Sequence, residues 1–161
     1  MIIKLKPALL ALLLSAGLAA CDGTNDSAAP AVTRKAEGVE ITLKDIEVSH
    51  DVGSMGMVPT APDGATYVHV TYALKNVSAD ALPFEKWPQP RLVDPAGHKF
   101  EPEIVASTTL SAASNSSWFE NLNPNLSTDA HLVWKVDEKS FDRATWTLTF
   151  LSKPAVIFPL K

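Results

Sequence analysis

The residues best suited to chemistry gather in one loop. His50, Met55 and Met57 fall within His50 to Gly64, a stretch interrupted by three glycines and two prolines. Thioether and imidazole together form a soft donor set of the kind that holds Cu(I) outside the cytoplasm. Methionine's pliable side chain equally suits an adaptable protein contact. A single His-x4-Met-x-Met is a sparse set, so the loop reads first as a contact surface. Copper is kept as its alternative use, and no metal site or cofactor is assigned.

The other histidines carry less. His69 and His131 stand on the outward parity of two strand-like stretches, where they would pair only if those strands were neighbours; they read as solvated. His98 follows a Gly97 turn and reads as surface. Serine, histidine and aspartate are all present, but no Gly-x-Ser-x-Gly elbow supplies a nucleophile. Glu101, Glu103, Asp137, Glu138 and Asp142 lie in polar segments without the apolar surroundings that would tune a catalytic carboxyl. No glycine-rich phosphate loop occurs. The chain therefore reads as a protein without catalytic activity.

Residues 1–20 have the pattern of a removable signal. Lys4 and Lys6 form a basic start, Pro7 to Gly17 is an apolar run too short to span a bilayer, and Leu18-Ala19-Ala20 precedes Cys21. This ending resembles the lipobox of bacterial lipoproteins, in which the cysteine becomes the acylated N-terminus. The resemblance implies lipidation at Cys21, attachment to the membrane through acyl chains, and an envelope protein facing the periplasm. Asp22, by similarity to enterobacterial sorting, favours the inner membrane. With the lone cysteine so used, no disulfide or thiolate site remains. Loss of Lys4 and Lys6 moves the formal charge from −4 to −6. An acidic chain without a basic cluster argues against nucleic acid.

Residues 21–37 hold one sizeable hydrophobe, Val32, and read as a flexible tether; its first fourteen residues after the cysteine reach roughly 20 Å as a coil. Residues 38–161 then form one folded domain. Its organising stretch is Ala65 to Ser78, with Val68, Val70, Tyr72 and Leu74 on one parity, the period of a strand with one face buried. Thr128 to Val136 repeats this pattern, with Ala130, Leu132, Trp134 and Val136 inward and Val133 as an apolar exception. Trp146, Leu148 and Phe150 do so again. Val39, Ile41 and Leu43 share one parity, whereas Ile46 and Val48 share the other, which implies a bulge near Lys44-Asp45. Arg91 to Phe100 reads as a hairpin around Asp94-Pro95-Ala96-Gly97. Asp137 to Arg143 reads as a single helical turn. Glu103 to Ser117 fits neither period, and a short strand and an irregular excursion both stay open. Trp118-Phe119 and Trp87-Pro88 either plug the ends of the fold or form an exposed anchor.

Short strands separated by turn signals, without a convincing amphipathic helix, predict an all-β fold: an antiparallel β-sandwich of roughly seven to nine strands. Trp134, Trp146 and Tyr72 are its expected core. The order of Gly64, Tyr67 to Asn76, Leu92-Val93-Asp94, Gly97, Phe100, Leu122-Asn123-Pro124 and Leu132 to Val136 resembles immunoglobulin-like domains of bacterial lipoproteins. That family is known as a domain of unknown function and is similar in fold to an immunoprotective extracellular antigen. Asn125 stands where the family usually has glycine, a place that asks for a left-handed backbone. The resemblance implies an immunoglobulin-like sandwich and carries no catalytic residues. The resulting expectation is a membrane-anchored interaction or accessory module with an envelope protein as partner.

Overall fold

In a computed structural model, residues 31–52, 59–114 and 120–161 are described. The alternating stretch around Val70 forms the longest strand, β3 (Ala65–Asn76), and a sheet is built on both of its edges. On one side lies β2 (Val39–Ser49), with β1 (Val32–Ala36) beyond it; on the other lies β6 (Ser127–Asp137). The second sheet runs β5 (Lys99–Phe100), β4 (Gln89–Val93), β7 (Thr147–Leu151), β8 (Val156–Pro159). All pairings are antiparallel. The two four-stranded sheets make the β-sandwich that the alternation predicts.

Burial follows the parity. Val68, Val70, Tyr72 and Leu74 from β3 and Ala130, Leu132, Trp134 and Val136 from β6 enter one core with Leu92, Trp146, Leu148, Phe150 and Phe158. The expected aromatics are all there. Trp134 donates Nε1–H to the Phe100 carbonyl at 3.0 Å and Trp146 donates to the Ser140 carbonyl at 3.1 Å. Phe100 stacks on Trp146 with centroids 4.9 Å apart, and Tyr72 meets Phe150 edge-on at 5.0 Å. Each indole thus buries its ring while its one polar group stays bonded.

The parity change in β2 is a bulge. Pairing steps from Leu43↔Tyr72 to Asp45↔Thr71, leaving Lys44 as the extra residue. Ile46 then faces inward beside Val70, and Asp45 and Glu47 turn to the outer face. Asn125 adopts φ +64°, the left-handed conformation that its place in the turn requires.

Three expectations are corrected. The tether ends sooner than residue 37, because Val32–Ala36 pairs with β2 through a two-residue turn at Glu37-Gly38, where Gly38 has φ +72°. Its side chains are mostly exposed, so backbone pairing holds it and no hydrophobic signal marks it. Thr33, Arg34 and Lys35 give a polar edge of the kind that discourages further strand addition. The segment left open becomes α1 (Ile104–Ala113). Asp137 to Arg143 forms successive turns instead of helix, with the Asp137 carboxylate accepting the Ser140 N–H and that of Asp142 accepting the Ala144 N–H.

Helix α1 covers the open edge of β6. The Glu103 N–H donates to the Val133 carbonyl at 2.7 Å, and the Val133 N–H donates to Ser107 Oγ at 3.0 Å. Ser111 Oγ donates to the His131 carbonyl at 3.4 Å. Two serines thus satisfy backbone groups that a further strand would otherwise occupy. The helix also explains Val133. Its outward side chain is fully buried with Tyr67, Ala106, Val52 and Ala61 in a second, smaller cluster.

Candidate functional site

Helix α1 is apolar on the wrong side. It buries Ala106, Ser107 and Ser111 and leaves Ile104 and Val105 74% and 72% exposed. Small residues are what permit its backbone to approach the β6 edge, so the two branched residues of its first turn have no core to enter. Ile104 borders a cleft of about 320 Å³ where the two sheets part. Phe84, Trp87, Pro88 and Pro90 form one wall; Tyr72 and Leu132 come from the core; Arg91, Glu101 and Pro102 stand at the rim.

Local sequence builds that wall. Pro83 leads into a 3₁₀ turn, Phe84–Lys86, which places Phe84 and Trp87 edge to face at 5.5 Å. Trp87 is buried, with its indole N–H 3.4 Å from the Leu82 carbonyl, so it plugs this end of the sandwich and lines the cleft. Arg91 is held by Glu101 at 3.0 Å and by the Pro90 carbonyl at 2.8 Å. Tyr72 is buried, and desolvation pushes its phenol well above the ordinary value; its hydroxyl meets no hydrogen-bond partner among the described residues. Trp118 and Phe119, the other proposed anchor, lie outside the described residues.

The methionine loop is only partly described. Met55 and Met57 lie outside the described residues, as does Cys21. His50 is exposed at the base of the loop, where its carbonyl accepts the Ala61 N–H at 2.8 Å and Asp51 bridges to Thr60. Its Nε2 lies 3.5 Å from Glu138, an ion pair when the ring is charged. The carboxylates are otherwise engaged in holding structure. Glu103 pairs with Lys135 at 2.8 Å, Glu101 with Arg91, and Asp94 with the exposed His98 at 2.7 Å. Among the described residues no three His, Cys, Asp or Glu side chains converge on a point that would hold a metal.

His69 and His131 are brought together. β3 and β6 are neighbours, Thr71 stands directly opposite His131, and His69 lies on the diagonal. His69 Nε2 is 3.4 Å from His131 Nδ1, and Thr71 Oγ1 is 3.4 and 3.2 Å from the two nitrogens. They are half-buried rather than solvated. Burial lowers the pKa of His69, opposed by the nearby Glu47 and Asp45 carboxylates. Burial also lowers that of His131, helped by the charge of His69 and Lys44 and opposed by Asp129. The even spacing of the alternation put both rings on one face; only strand order made them neighbours.

No established family profile matches the chain. It is 32% identical over 121 residues to the uncharacterized protein YxkC of Bacillus subtilis, covering 73% of this chain and 67% of that one. Among solved structures, a conserved hypothetical protein of Bacillus anthracis aligns with TM-score 0.65 and 18% identity, over 78% of this chain and 86% of its own. An uncharacterized β-sandwich protein of Clostridium difficile gives 0.56 and 14%, over 83% and 93%. The lipoprotein candidate YcdA of B. subtilis gives 0.50 and 17%, over 78% of this chain and 37% of its own. At these identities the structures share the sandwich.

Proposed function

The chain belongs to the family of the B. subtilis protein YxkC, and from that starting point we propose that it is a lipid-anchored, non-catalytic envelope protein whose sandwich holds a protein partner. One observation carries this reading: Ile104 is offered to water at the border of a cleft walled by aromatic and proline side chains, and the next residue, Val105, is exposed as well. A cleft of this kind, rimmed by a paired Arg91 and Glu101, suits an apolar side chain from a partner, with polar groups around it. The mature chain's negative charge favours a partner of opposite charge over a second copy. The lipobox at Cys21 supports the anchor, as does the sandwich shared with a lipoprotein candidate. Among the described residues no helix is long and apolar enough to cross a membrane.

A photo-crosslinking residue placed at Ile104 in living cells tests the surface. A discrete adduct is expected, lost when Val105→Glu is added and absent from the same residue at Ile157, exposed on the other sheet. Equal labelling at both positions, or none at Ile104, overturns it. Cys21→Ser tests the anchor: the chain should leave the membrane fraction, and unchanged fractionation would end that part of the reading.

A further inference from the structure

The outer face of the first sheet carries a cluster that the partner-binding reading does not use. His69 Nε2, His131 Nδ1 and Thr71 Oγ1 form a nearly equilateral triangle with sides of 3.4, 3.4 and 3.2 Å. A tetrahedral metal with ligands at about 2.0–2.1 Å sets its ligand atoms about 3.3–3.4 Å apart. The triangle therefore has the dimensions of one face of such a site.

We propose that His69, His131 and Thr71 bind a divalent first-row metal of the zinc or copper type, with water completing its coordination. Imidazole is the side chain common to Zn²⁺ and Cu²⁺ sites. The surroundings suit the assignment. Glu47 stands directly across the β2–β3 pair from His69, and its Oε2 lies 3.7 Å from His69 Nδ1, the nitrogen turned away from the triangle. Carboxylates in that place orient metal-binding histidines and raise their basicity. Lys44, the bulged residue, is tied to Asp129 at 2.6 Å, so the nearest ammonium is already neutralised. Thr71 and the two rings project from paired, regular strands, which hold ligands more firmly than a loop does. With two strong ligands the site is of modest affinity, suited to a metal that exchanges.

The same triangle also satisfies itself as a hydrogen-bond chain through the threonine hydroxyl, and the experiment separates the two. The mature chain, solubilised in detergent and stripped with chelator, is given ZnCl₂ or CuSO₄ alone. One metal per chain and a raised melting temperature are expected. Both are lost in His69→Gln and in His131→Gln and kept in His50→Gln and His98→Gln, while Glu47→Gln weakens binding about tenfold or more. Should the histidine variants fold poorly, Cu²⁺ added to the unmodified chain should broaden the His69 and His131 ring signals before those of His50 and His98. Uptake that survives in the double variant His69→Gln, His131→Gln overturns the proposal. So does a chain that retains no metal, in which case the triangle is a hydrogen-bond network only.

Discussion

The inner face of the first sheet and its outer face are made from the same four strands and obey different rules. On the inner face, Val68, Val70, Tyr72 and Leu74 of β3 and Ala130, Leu132, Trp134 and Val136 of β6 are apolar and buried in the core shared with the second sheet, with the buried polar Thr66 and Asn76 at the two ends of β3. On the outer face, one part carries Glu47, His69, Thr71, Asp129 and His131, and another carries Tyr67 and Val133 under α1. A face that opposes another sheet is apolar where the two sheets meet, and admits polar side chains only at its ends, where Thr66 and Asn76 bond to backbone carbonyls. A face covered only where a helix reaches it is apolar there and free elsewhere to hold polar groups. The outer face is thus where this protein can vary its chemistry without altering its core.

The comparison can be broken most severely from inside. Trp134→Ala should cost about 3–5 kcal/mol, by removing the largest fully buried side chain and its bond to Phe100. Chemical denaturation of the chain reads this directly. On the outer side the corresponding point is a hydrogen bond. Ser107→Ala leaves the buried Val133 N–H without an acceptor and should cost about 1–3 kcal/mol. Hydrogen exchange should show the Val133 amide losing protection while the Val70 amide keeps it.

A smaller effect sharpens the difference through pH. Both outer histidines titrate below their ordinary value of 6.5 in the folded chain, chiefly because burial disfavours the charged ring. The unfolded chain therefore binds more protons as pH falls through 6.5. Stability from these groups is complete above that value and is lost below it, until the lowered folded pKa values are passed. Chelator-treated protein should show this slope, and the double variant His69→Gln, His131→Gln should show less of it. The smallest effect is expected at the cleft. Ile104→Ser should change stability by no more than about 0.5 kcal/mol, since the side chain is mostly in water, yet abolish crosslinking from Val105. A large loss of stability would place Ile104 in the fold instead of at a contact.

Much of the sandwich was readable residue by residue. Alternation in Val68 to Leu74, Ala130 to Val136 and Trp146 to Phe150 identified strands and their buried sides, because a strand's side chains must alternate whatever surrounds them. The shifted parity around Lys44 revealed a bulge for the same reason, and Asn125 was recognisable as a residue able to turn left-handed. Strand β1 was not readable, since it is held by backbone bonds to which its exposed side chains contribute little. Helix α1 was not readable either. Its buried face is made of alanine and serine and its exposed start of isoleucine and valine, the reverse of the pattern that marks a helix.

Local periodicity is a property of the chain itself, and with it the sequence alone determined the alternating strands, their inward residues and the aromatic core. Which strands become neighbours is decided by contacts between distant segments, and no local pattern encodes it. Tertiary structure alone therefore seated α1 on the β6 edge, opened Ile104 beside the cleft, and brought His131 within 3.4 Å of His69 across 62 residues of chain. A serine serves as a strand's missing partner only when its helix lies along that strand. Two outward histidines become a pair only when their strands adjoin.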